Sequence, residues 1–126
     1  MTPVDLTEST FEKTIAEGDI VLADFWAAWC GPCRQFAAIF EAAAMANPDI
    51  VFGKVDTEAE QSLARSVEIT SIPTLMAFRE GILVFEEVGA LPAAELNSVI
   101  EIVRGFDMQA VKAEAATGET AHSTGI

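Results

Sequence analysis

Basic residues are scarce in this chain: 7 lysines and arginines stand against 20 aspartates and glutamates, for a formal net charge of −13. Nucleic acids and anionic membranes both need basic patches, so neither is expected as a partner. Long apolar runs are also missing. None approaches the ~18 residues that mark a membrane-spanning helix. The opening residues, Met1 to Glu8, have neither the basic region nor the apolar stretch of a secretory signal. A cytoplasmic location, where thiols are kept reduced, is therefore the expectation. Histidine occurs once, at His122 in a polar stretch, so a four-ligand zinc site is poorly supplied. There is no nucleotide-binding glycine fingerprint, and no bound cofactor is expected. Internal repeats are absent too, and 126 residues, 51% of them hydrophobic, suit one domain with an ordinary core.

Cysteine is confined to five residues, Trp29-Cys30-Gly31-Pro32-Cys33. An apolar, strand-like run from Val21 to Trp26 precedes them, and a helix-like run from Phe36 to Met45 follows. Two cysteines separated by two residues at such a turn read first as a redox pair. Residues three apart in a first helical turn point to the same side. Their Cα atoms then lie roughly 5 Å apart, inside the window a disulfide tolerates. Gly31 permits the tight turn, and Pro32 fits a first-turn position that needs no backbone donor.

Cys30 would face the unpaired amides and partial positive charge of the helix N-terminus, which favour thiolate over thiol. It is the expected attacking sulfur, exposed at the turn. Cys33, one turn in, is better covered and suits the resolving role. Arg34 adds a nearby cation. Half a zinc site and a purely structural disulfide are the competing readings. The first lacks ligands; the second would close too short a loop to gain much chain entropy.

Elsewhere the pattern alternates between strand and helix. Leu6-Thr7 opens a short helix capped by Thr7, with Phe11 and Ile15 on one face and Gly18 at its end. Ile20–Trp26 is a strand buried on both faces. Cys33–Ala46 is helical with Phe36, Ile39, Phe40 and Ala43 at core spacing. Val51–Val55 is a strand and Glu58–Ser66 a helix. Leu75–Phe78 and Ile82–Phe85 flank Glu80-Gly81 as an antiparallel hairpin. A last helix starts at Pro92 and stops at Gly105, with Leu96, Val99, Ile100 and Val103 buried. From Ile20 onward the order βαβαββα gives an α/β fold: a mixed central sheet of four to five strands flanked by about four helices. Phe25, Trp26, Met45 and Met76 read as core. Residues 1–106 form the domain, and 107–126 a flexible extension in which Ala110–Ala116 could lengthen the last helix.

Asp24 stands in the middle of an apolar strand. Buried without a cation, its pKa would rise, and close under the dithiol it could take a proton from Cys33. A strand-end Asp at the surface is an equally open reading of the residue alone.

The stretch Ala23-Asp24-Phe25-Trp26-Ala27-Ala28-Trp29-Cys30-Gly31-Pro32-Cys33-Arg34 resembles the active-site signature of the thioredoxin family. Lys54-Val55-Asp56, Ser71-Ile72-Pro73-Thr74 and Val88-Gly89-Ala90 match further family segments in order, so the likeness spans residues 5–105. The Gly-Pro pair resembles the reducing, bacterial members, whereas oxidases and isomerases usually carry histidine there and glutaredoxins Pro-Tyr.

The resemblance implies the thioredoxin fold and a protein-disulfide reductase with a reversible Cys30–Cys33 disulfide. The potential it implies is that of thioredoxin itself, about −270 mV, a family value and not one these residues yield. It makes Asp24 the buried acid and Lys54 the lysine near it. It makes Ile72–Pro73 a cis bond, although an X-Pro bond is ordinarily trans. It also gathers Trp29, Gly31, Pro32, Ile72, Pro73, Gly89 and Ala90 into a substrate-docking rim. Partners implied are disulfide-bearing proteins and a thioredoxin reductase, which would hold the NADPH and FAD; the chain itself is expected to be a monomer. An alternative is a thioredoxin-fold binding or chaperone module in which the thiols are secondary. One departure stands out: Ala38 occupies the place where many relatives have a helix-kinking proline.

Overall fold

The apolar run Ile20–Trp26 becomes the middle strand of a five-stranded sheet. In the computed structural model, which describes residues 2–117, the elements are β1 (Val4–Asp5), α1 (Phe11–Glu17), β2 (Ile20–Trp26), α2 (Gly31–Ala46), β3 (Val51–Asp56), α3 (Gln61–Ser66), β4 (Thr74–Arg79), β5 (Ile82–Val88), α4 (Ala93–Arg104) and α5 (Met108–Thr117). The strand order is β1-β3-β2-β4-β5. β3 runs parallel to both β1 and β2, while β4 is antiparallel to β2 and β5. This is the mixed α/β sheet expected from the sequence, at the upper strand count.

Alternation along β2 sorts the core into two layers. Ile20 and Leu22 join Phe36 and Phe40 of α2 and Leu96 and Val103 of α4. Val21, Ala23 and Phe25 join Phe11 and Ile15 of α1 and Leu63 of α3. Edge-on aromatic contacts lock both layers: Phe40 on Phe52 with centroids 5.1 Å apart, and Phe11 on Phe25 at 6.0 Å. Met45 is 68% exposed, contrary to the core assignment. The buried stripe of α2 runs through Phe36, Phe40, Ala43 and Ala44, and at 3.6 residues per turn the next position swings outward.

Three boundaries differ from the expected ones by three residues or more, each because hydrogen bonding competes with the element or prolongs it. At the start, the Leu6 amide donates to Lys54 O (2.8 Å), holding the chain extended as β1. The chain must then turn: the Thr10 and Phe11 amides donate to Thr7 O, and the Thr7 amide to Thr10 Oγ1. Thr7 thus sits in a turn and does not cap α1. Before α3, Asp56 Oδ1 accepts from the Glu58 amide at 2.9 Å, and the helix begins only at Gln61. At the other end, β5 continues three residues past Phe85, to Val88, paired with β4 as far as Thr74.

Residues 108–117, expected to be loose or an extension of α4, form a separate helix. Gly105 closes α4, and Asp107 Oδ1 accepts from the Gln109 amide at 3.1 Å to start α5. Met108 is buried, and Lys112 forms an ion pair with Glu80 at the β4–β5 turn. The remainder of the expected flexible extension, residues 118–126 with His122, lies outside the described residues.

Gly53 is where β1 closes on the sheet. A Cβ there would lie 2.3 Å from Leu6 Cδ1, and Leu6 is buried. Gly53→Ala is therefore expected to lower stability by about 1–3 kcal/mol in denaturant titrations, as overpacked sites do. Adding Leu6→Ala should cost less in that background than in the wild type, because the first change already displaces Leu6.

Candidate active site

β2 ends at Trp26, and the turn Ala27–Cys30 delivers the chain into α2. Cys30 is the N-cap residue, with extended backbone (φ −89°, ψ 113°), and its Sγ accepts a hydrogen bond from the Cys33 amide at 3.2 Å. Sulfur thus takes the place usually filled by a capping oxygen. Pro32 in the first turn removes a donor that would otherwise be orphaned. Cys30 and Cys33 form a disulfide, with Cα atoms 5.2 Å apart, as their spacing predicts. Arg34 Nη1 donates to Ala28 O at 2.9 Å, which ties the turn to the helix.

The expected contrast in exposure between the cysteines is small. Cys30 is 5% exposed and Cys33 2%, because Ala27, Trp26 and Ile72 pack around the pair. What distinguishes them is placement. Cys30 Sγ holds the cap and lies 3.9 Å from Ile72 O, on the side of the 69–73 loop.

Asp24 is fully buried, and neither carboxylate oxygen has a hydrogen-bond partner among the described residues. Even residues of β2 face α2, so Asp24 lies on the dithiol's side of the sheet. In register, Asp24 pairs with Lys54 of β3, which is on the same face. Burial pushes the Asp24 carboxyl from the usual 3.8 up to about 7, with the Lys54 charge pulling partly back. Desolvation wins. Lys54 is half-buried, and its Nζ lies 4.7 Å from the Trp26 ring centroid in a cation–π contact.

The Ile72–Pro73 bond is cis. Pro73 O accepts from the Gly89 amide at 2.8 Å, so the loop before β4 and the end of β5 are joined. Gly89 has φ +107°, a left-handed conformation that suits glycine. Trp29 is 68% exposed, and a Cβ on Gly31 would meet nothing within 4 Å. Pro32 and Ala90 are exposed and Ile72 half-buried, whereas Pro73 is buried.

Two contributors are not apparent from the sequence. Trp26, whose pattern reads as core, is half-buried against the cysteines, with its indole Nε1 buried and unpartnered among the described residues. Its phase, two residues after Asp24 on the same strand, is the available signal. Thr57 holds the end of β2 in place: its amide and Oγ1 donate to Trp26 O at 2.9 and 3.0 Å. That contact depends on two distant segments meeting and has no sequence signature. Among the described residues, no three His, Cys, Asp or Glu side chains group as a metal site, and no helix is long and apolar enough to cross a membrane.

A cysteine pair at disulfide distance on a helix N-terminus, with a buried acid on the same side of a mixed sheet, fits a thiol-disulfide oxidoreductase. The thioredoxin family profile matches residues 2–102. The chain is 53% identical over 113 residues to putative thioredoxin 2 of Streptomyces coelicolor, covering 90% of this chain and 84% of that one. It is 42% identical to thioredoxin 1 of Synechococcus elongatus, covering 76% and 92%. Among solved structures, a mutant thioredoxin from Halobacterium salinarum superposes with TM-score 0.77 at 31% identity, covering 83% of this chain and 93% of that one. A thioredoxin of Plasmodium falciparum gives 0.73 at 30%, covering 79% and 96%. The chain belongs to the thioredoxin family, and its activity is that of a thiol-disulfide oxidoreductase.

The buried acid has a measurable signature. Below about pH 4 both folded and unfolded chains hold the Asp24 proton; between 3.8 and about 7 only the folded chain does. Stability should therefore fall as pH rises through that window, and stay low above it. For the oxidised protein, the loss relative to Asp24→Asn should approach about 4 kcal/mol by pH 8, from 1.36 kcal/mol per pH unit. Denaturant titrations of both proteins from pH 4 to 8 check this; parallel profiles would contradict it.

Proposed function

We propose that this protein reduces disulfides of cytoplasmic protein substrates as a monomer, without a bound cofactor, and is recharged by a thioredoxin reductase carrying NADPH and FAD. The observation that carries the reading is the Cys30–Cys33 disulfide at the α2 N-cap, on the same side of the sheet as an unpartnered buried carboxyl. In the reduced protein, the Cys33 amide and the helix terminus stabilise a Cys30 thiolate. That thiolate attacks one sulfur of the substrate disulfide, and the second substrate sulfur leaves as a thiolate. Cys33 gives its proton to ionised Asp24 and attacks Cys30 Sγ. The mixed disulfide breaks, the Cys30–Cys33 bond forms, and the substrate leaves with two electrons gained.

An acid whose pKa is brought to about 7 suits this transfer near neutral pH. Lys54 keeps it from rising further. Trp29, Gly31, Pro32, Ile72, Pro73, Gly89 and Ala90 form the rim on which the substrate segment docks, its backbone lying against Ile72 in strand-like fashion. The net charge of −13 weighs against nucleic-acid partners. The 53% identity to a Streptomyces protein supports a bacterial setting.

The test is NADPH-coupled reduction of insulin disulfides with a bacterial thioredoxin reductase. Cys30→Ser should fall to background. Cys33→Ser should accumulate a mixed disulfide through Cys30, visible by mass spectrometry. Asp24→Asn should slow substrate release by roughly 10²-fold, the lower range of general-base assistance. Reduction by dithiothreitol without turnover by any reductase would point to another electron donor. Failure with both reductants would favour a binding module.

A further inference from the structure

Seven cations serve this chain, and most are already engaged. Arg79 pairs with Asp19 and donates to the Val103 and Arg104 carbonyls. Arg104 holds Asp49 and Asn47, Lys112 holds Glu80, Arg34 holds Ala28 O, and Lys54 lies over Trp26. Among the described residues, only Lys13 and Arg65 have basic side chains with no hydrogen bond, ion pair or ring contact. Lys13 is exposed on α1. Arg65, in the last turn of α3, lines a groove of ≈ 500 Å³.

That groove is continuous with the dithiol site. Its walls include Trp29, Glu58, Gln61, Arg65, Thr70 and Ile72. Trp29 adjoins Cys30 in sequence, and Ile72 O is 3.9 Å from Cys30 Sγ. The walls are held in place at several points. The Ile69 amide donates to Ala64 O at 3.0 Å, the Glu68 amide to Arg65 O at 3.1 Å, and Glu68 takes a left-handed φ of 60° to close the turn. Thr57 is tied to Trp26 O. For a peptide held with its disulfide at Cys30 and its backbone against Ile72, this surface is within reach of the flanking residues.

We infer that Arg65 is a specificity-determining residue, binding a carboxylate on the substrate segment that flanks the disulfide. A guanidinium is always charged and offers a planar fork matched to carboxylate. Here it stands in a groove whose other charged wall residue, Glu58, forms no ion pair with it among the described residues. On a chain of net charge −13, which repels acidic segments at long range, such a local cation supplies discrimination that the overall field does not. The inference rests on the disulfide-reductase reading.

The test uses peptides with a single cysteine, held in a mixed disulfide with 2-nitro-5-thiobenzoate. Asp or Lys is placed at each of the three positions on either side of that cysteine. Reduced protein is mixed with each peptide, and release of the coloured thiolate gives the rate. At one or two positions, the Asp/Lys rate ratio should fall about two- to five-fold in Arg65→Gln, in keeping with an exposed ion pair. It should fall further in Arg65→Glu, and the differences should shrink at high salt. Lys13→Gln, which changes net charge equally, should leave the ratio as in the wild type. Ratios unchanged by Arg65→Glu, or shifted as much by Lys13→Gln, would overturn the inference alone. No thiolate release from any peptide would overturn the reductase reading and the inference with it.

Discussion

Everything at the active end of this molecule depends on one strand being buried on both faces. β2 pairs with β3 on one side and β4 on the other, so it has no free edge, and two apolar layers enclose its two faces. Side chains on such a strand have two destinations only. Once Leu22 points into the α2–α4 layer, Asp24 and Trp26 must follow it. The acid is thereby placed beneath the helix that starts just after Cys30. Moving it would require a one-residue slip, and that would exchange the side chains that fill the two layers.

The cost of that placement is visible in the acid's chemistry. An unpartnered carboxyl in a dry core resists ionisation, and the one cation in register with it offsets only part of the effect. Lys54 is divided between Asp24 and the Trp26 ring, and its half-buried position leaves it partly hydrated. A fully paired Asp–Lys bridge would have fixed the acid as a carboxylate at every useful pH. The incomplete pairing leaves it poised near neutrality, as the proposed proton transfer from Cys33 requires. On that proposal, stability is given up for reactivity, as at many functional sites.

The sequence is most legible where pattern is local and long. The apolar run of β2, the 3.6-residue stripes of α2 and α4, and the Glu80-Gly81 turn each carry their own signal, and so does the Cys30–Cys33 spacing. What stays hidden depends on contacts between distant segments or on a side chain that competes for the backbone. β1 has two residues and no period to read; it is a strand only because Gly53 lets Leu6 approach. α3 starts later than its apolar spacing suggests because Asp56 claims the next amides first. Met45 is apolar yet lies one step off the buried stripe of α2, a difference of phase that composition does not carry. The cis bond at Pro73 runs against the ordinary preference and is legible through family likeness alone, while Asp24 by itself reads equally well as a surface residue.

Helix α5 adds a consequence for how the molecule can be used. It is fastened to Glu80, at the β4–β5 turn, and that turn lies beside the Ile20 end of β2. The cysteines lie beyond the Trp26 end, about 20 Å away by the rise of an extended strand. Cargo or a solid support joined to α5 would thus be carried at the opposite pole. A tethered copy would present its sulfurs outward, unshadowed by its own anchor.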